Sequence, residues 1–169
     1  MRRGRAILAS AVFSSGFISV AACGSQPPAN GAASVPAAAR SVSTGEFRAI
    51  MQAIADGWNE GDSRKSVGYF TENAIYMEPP DAQSYEGHEA LFEAFGGKDQ
   101  PRSPGRMTWH HLLFDETEQI GAGEYTYQGQ RRYHGIVIVR LKSGKIDRWR
   151  EYQRASILDW GDFVGKGRF

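Results

Sequence analysis

The 169-residue chain holds a single cysteine, Cys23. One thiol excludes an intrachain disulfide, and the remainder of the chain has neither a thiol nucleophile nor a thiolate metal site. No phosphate-cradling glycine loop is present, which argues against nucleotide-driven chemistry. An excess of one charge sign is missing as well: 20 Lys and Arg against 19 Asp and Glu leave a formal net charge of +1. The arginines are spread along the chain without the basic stripe that phosphate neutralisation requires, so nucleic acid is not an expected partner. The apolar run over residues 6–22 is too short and too rich in Ser and Gly to span a bilayer, which takes ~20 strongly apolar residues.

What that run does have is context. Arg2, Arg3 and Arg5 precede it, and Val20-Ala21-Ala22-Cys23 closes it with small side chains before a thiol. This resembles a bacterial lipobox, and the resemblance implies cleavage before Cys23 and lipidation of its thiol. Each buried acyl CH₂ contributes ~0.8 kcal/mol, so several chains on one cysteine hold a protein to a membrane. The alternative is an ordinary secretory signal with a buried thiol, which would not need the cysteine at that boundary. The expected location is the bacterial cell envelope, with the chain lipid-anchored to a membrane. In a Gram-negative host Gly24, in place of an acidic residue, leans to the outer membrane facing the periplasm. Residues 1–22 read as the signal peptide and 23–43 as the lipidated cysteine and a disordered linker. The linker is mostly Gly, Ser, Pro, Ala, Gln and Asn, too polar and small to offset the entropy of ordering. Residues 44–169 read as one domain, large enough for a single core.

Within that domain the periodicity changes once. Phe47, Ile50, Met51, Ile54 and Trp58 recur at helical spacing, with Ser43 or Thr44 as cap and Glu46 placed to close a capping box. Gly61 ends this helix, and Asp62 caps a shorter one carrying Val67 and Phe70. Residues 74–77 read as a strand stopped by Pro79-Pro80, and Gly87-His88-Glu89 opens a third helix. Four strand-like stretches follow, near residues 107–115, 120–127, 132–141 and 146–154, joined by tight connections such as Lys142-Ser143-Gly144-Lys145. The expected class is α+β: three N-terminal helices packed in the concavity of a strongly curved, mainly antiparallel sheet. The tail around residues 159–163 has too few strand features to extend that sheet. It is expected either to fold over the mouth of the cone or to pack on a second subunit.

Two stretches resemble the nuclear-transport-factor-2-like superfamily, in particular its SnoaL-like (polyketide cyclase-like) domains. One runs from Trp58-Asn59-Glu60-Gly61-Asp62 through Tyr69-Phe70-Thr71-Glu72-Asn73-Ala74 to Glu78-Pro79. The other is Gly144-Lys145-Ile146 with Trp149-Arg150-Glu151-Tyr152. The resemblance implies a cystatin-like cone, a fold reused for many functions.

It also implies where chemistry would lie. Glu78 falls where ketosteroid isomerases keep their carboxylate base, and Glu151 where epoxide hydrolases place a water-activating carboxylate. The isomerases' oxyanion donors are replaced by Ile54 and a position near Val137, and the hydrolases' remaining pair by Tyr125 and Tyr127. Neither reaction is therefore expected by the relatives' own mechanism. Candidate acid–base residues are Glu78, Glu151 and His111, the last placed inward with Trp109 and Leu113. The candidate ligand wall is Trp58, Met77, Trp109, Tyr125, Tyr127 and Trp149, suited to a small hydrophobic molecule. No metal site can be assembled from the histidines, and no cofactor is expected; a homodimer is possible. Three classes of function stay open: a small-molecule acid–base enzyme, a non-catalytic ligand-binding module, and an envelope protein-interaction lipoprotein.

Overall fold

The computed structural model describes residues 40–80, 83–98 and 105–169. Cys23 and the signal and most of the linker lie outside the described residues. Helix α1 (Thr44–Glu60) begins at Ser43, whose hydroxyl accepts from the Glu46 N–H while the Glu46 carboxylate accepts from the Ser43 N–H, the expected capping box. Its stripe of Phe47, Met51 and Ile54 is fully buried; each such side chain contributes roughly 1.5–3 kcal/mol. Gly61, at φ +74°, takes the left-handed conformation that ends α1. Asp62 then accepts from the Lys65 N–H to cap α2 (Ser63–Val67). Val42, expected in the linker, is 2% exposed and is joined to Gln119 through both its N–H and its carbonyl. The packed domain therefore starts a little before α1.

Strand β1 (Phe70–Glu78) turns back into a short β2 (Gln83–Glu86), which the sequence reading did not separate, and α3 (Gly87–Ala94) follows at once. Four long strands complete the sheet: β3 (Arg106–Asp115), β4 (Ile120–Gln128), β5 (Arg132–Lys142) and β6 (Lys145–Ala155). The sheet order is β2-β1-β6-β5-β4-β3; only the β1–β6 pair is parallel. This curved mixed sheet places Phe70, Ala74, Tyr76, Val137, Val139 and Trp149 on its inner face, in one core with α1 and α3. Gly121 is required here, because a Cβ at its position would collide with the Phe47 ring.

The tail forms a short α4 (Trp160–Val164) on the outer face of the sheet. Trp160 stacks on His110 at 4.0 Å between ring centroids, and Phe163 lies 4.4 Å from His134. The segment does not fold over the mouth of the cone; it packs on the outer face of its own sheet.

Candidate functional site

The inner face of β6 alternates Trp149, Glu151 and Gln153, and that of β1 alternates Tyr76 and Glu78. Parallel pairing sets Tyr76 beside Trp149, and their rings stack at 5.6 Å. Glu151 is thereby carried to the floor of a cavity of about 260 Å³. Its walls are Trp58 from α1, Tyr76 from β1, Tyr85 from β2, Phe95 after α3, Met107 from β3, Tyr125 and Tyr127 from β4 and Tyr133 from β5. Gln83 and Gln153 complete the rim. Asn59, at the end of α1, fixes the start of β3: it accepts from the Met107 N–H at 2.6 Å and donates to the Met107 carbonyl at 3.1 Å. Gly135 lies opposite Tyr125 in the β4–β5 ladder, and a Cβ there would come within 2.7 Å of the Tyr125 hydroxyl.

Glu151 is 4% exposed. Tyr76 donates to its Oε1 at 2.6 Å, while Trp149 Nε1 and the Tyr125 hydroxyl donate to Oε2 at 3.1 and 3.4 Å. Burial pushes the Glu151 carboxyl above its ordinary value, the three donors pull it back, and the charge on Glu78 adds to the rise. Tyr76 and Tyr125 are pushed upward, chiefly by burial and then by the Glu151 charge, so both remain protonated donors. Glu78 sits two residues beyond Tyr76 and accepts from Gln83 at 3.1 Å and from Gln153 at 2.9 Å. Among the described residues neither carboxylate has a cationic partner.

Of the residues expected at the site, Glu151, Trp58, Tyr125 and Tyr127 line one cavity and Glu78 is tied to its rim. Trp109 and Trp149 stand behind the lining, in the core; Trp109 donates to the Met51 carbonyl at 2.9 Å. Met77 is on the wrong face. Period-two alternation along β1 sends Tyr76 inward and Met77 outward, beside Ile75, Ile138 and Arg150. His111 is also misplaced, and a β-bulge is the reason. The register shifts between Trp109 and His111, so Trp109, Leu112 and Phe114 face the core while His111 pairs outside with Glu124 at 2.7 Å. Leu113 is consequently 70% exposed. His110 and His134 are outside as well, bridged by the Thr126 hydroxyl at 2.7 and 2.9 Å. Sequence reasoning missed Tyr76, Tyr85 and Tyr133; for Tyr76 the signal was present, two residues before Glu78 on the same face.

A curved six-stranded sheet closed over helices, with its site inside the cone, is the cystatin-like arrangement. The SnoaL-like domain family profile matches residues 51–149, more than half of the chain, and the chain belongs to that family. Among solved structures it is similar to a protein with a cystatin-like fold from Methylobium petroleophilum, at 20% identity over 77% of this chain and 95% of that one, with TM-score 0.60. It is also similar to the epoxide hydrolase/cyclase-like enzyme SalBIII of pyran ring formation in the polyether salinomycin, at 23% identity over 65% and 92%, TM-score 0.55. A candidate ketosteroid isomerase from Kribbella flavida matches at 16% identity over 68% and 82%, TM-score 0.56. A search of curated proteins finds no match. At these identities the solved structures establish the fold alone.

Proposed function

We propose that the cone binds a small hydrophobic molecule and performs acid–base chemistry on it through Glu151, at a membrane surface to which Cys23 anchors the chain. The observation that carries this reading is a carboxyl buried on the floor of an open aromatic cavity with no cationic partner among the described residues. Burying a carboxylate without such a partner costs several kcal/mol in effective terms, and a raised pKa suits a group that must both take and give a proton. Tyr76, held at 2.6 Å, orients the carboxyl; Oε1 accepts from Tyr76 alone among the described residues, leaving an acceptor direction for substrate or water. Glu78, tied down by two glutamines, supplies negative potential at the rim. The relatives' chemistry is consistent with this reading: SalBIII is epoxide hydrolase/cyclase-like, and the Kribbella protein is a candidate isomerase.

A second reading, binding without catalysis, is favoured by the saturation of Oε2, which already accepts from Trp149 and Tyr125. A panel of small cyclic ketones and epoxides in D₂O separates the two, with α-deuteration and diol formation followed by NMR. The acid–base reading expects turnover of at least one compound that Glu151→Gln abolishes. Binding without any turnover would leave the non-catalytic reading, and turnover surviving Glu151→Gln would remove Glu151 from the mechanism.

A further inference from the structure

We infer that the ligand of the cone carries a positive charge, as a small tertiary or quaternary ammonium ion on an apolar skeleton. The inference rests on the cone being a ligand site and adds the charge of its occupant. The wall presents the rings of Trp58, Tyr76, Phe95, Tyr125, Tyr127 and Tyr133 to one space. Aromatic faces carry the negative end of the ring quadrupole and attract an alkylated ammonium, most strongly where water is excluded. The floor and rim carry two carboxyl groups, Glu151 and Glu78, the second anchored through Gln83 and Gln153, which themselves line the cavity. Among the described lining residues there is no Lys, Arg or His. Acidic and aromatic, with no base among its described lining residues, this lining disfavours anions.

A neutral hydrophobe fits less well than a cation for a separate reason. Seating it would strip water from Glu151 and return nothing to the carboxylate, whereas an ammonium supplies the missing countercharge as it excludes that water. Burial, with the Glu78 charge, raises the Glu151 pKa, and a cation seated beside the carboxylate would oppose both effects. The volume, about 260 Å³, is below the usual span for drug-sized ligands, ~300–1,000 Å³. A trimethylammonium head on a short skeleton suits it better than a steroid-sized molecule.

The test compares choline with 3,3-dimethylbutan-1-ol, in which carbon replaces the cationic nitrogen at constant shape. Both are titrated into the full chain by isothermal calorimetry, and into Glu151→Gln. The inference expects choline to bind at least about tenfold tighter than the alcohol, and Glu151→Gln to weaken choline binding by more than it changes that of the alcohol. Equal binding of the two by the wild type would overturn the charge inference and leave the ligand cavity standing, with no need for the variant to fold. So would undiminished choline binding by a folded Glu151→Gln. If neither compound binds but the neutral ketones or epoxides do, the charge inference alone fails. If none of them binds, the ligand-site reading fails with it.

Discussion

Glu151 is held between opposing influences, and the balance can be measured. Burial raises its pKa and three donors lower it, leaving a net rise. A carboxyl whose folded-state pKa exceeds its unfolded value, ~4.3 for glutamate, contributes stability that is complete below that value. The contribution is lost as pH rises through the folded pKa, because there the folded state binds more protons than the unfolded chain. Urea unfolding of wild type and Glu151→Gln should therefore show the wild type gaining on the variant as pH falls into the acid range. At neutral pH the variant should be as stable as wild type or more so, since a neutral amide relieves a buried charge and the Tyr76 hydroxyl can accept from it. A wild type that loses ground in acid would mark Glu151 as a stabilised carboxylate and remove it from acid–base duty. Tyr76→Phe tests the other side of the balance. It deletes the 2.6 Å bond to Oε1 and should cost ~1.5–3 kcal/mol at neutral pH, the range for a hydrogen bond to a charged group. The same unfolding measurement should show a smaller cost once acid has protonated Glu151.

Single residues reached the site through elements whose legibility in the sequence differed. Helix α1, with its cap and stripe, and strand β6, with Trp149 and Glu151 on one face, follow from periodicity alone; which side of β6 and of β4 faces inward follows from the family resemblance. Strand β3 does not. Its pattern Trp109-His110-His111-Leu112-Leu113 admits a regular alternation, and only pairing with β4 reveals the extra residue that turns His111 and Leu113 outward. That bulge gives a sharp prediction. Deleting His110 leaves Trp109, Leu112 and Phe114 on the inner face, so the variant should fold and lose about 1–2 kcal/mol, the Trp160 stack and the Thr126 hydrogen bond. A circular-dichroism melt checks it; in an unbulged strand the same deletion would reverse every side chain downstream and abolish folding. The stretch from Asn59 to Asp62, by contrast, was readable as a signature but not as chemistry. Asn59 clamps β3, Gly61 ends α1 and Asp62 caps α2. It identifies the fold because it builds the fold, and the cavity's chemistry has to be sought in Glu151 and the tyrosines.

At the scale of the whole molecule the domain is one unit beginning near Val42, preceded by a segment whose lipobox resemblance predicts a tether. Cys23→Ser should move the full-length protein from the membrane fraction to the soluble one. A variant that still sediments with membranes after a high-salt wash would contradict the anchor. Deleting residues 24–39 should leave the melting temperature of the domain unchanged, because Arg40, paired with Glu46, and Val42 remain in place; a drop of several degrees would show that the deleted stretch packs on the domain. What matters most for function is narrower than either: the buried Glu151 carboxyl faces the cone with no countercharge among the described residues. Its most direct test is a ¹³C NMR titration of side-chain-labelled glutamates, with the Glu151 resonance assigned through Glu151→Gln. The account predicts that this carboxyl titrates above the ordinary glutamate value of ~4.3; a midpoint at or below that value would contradict it.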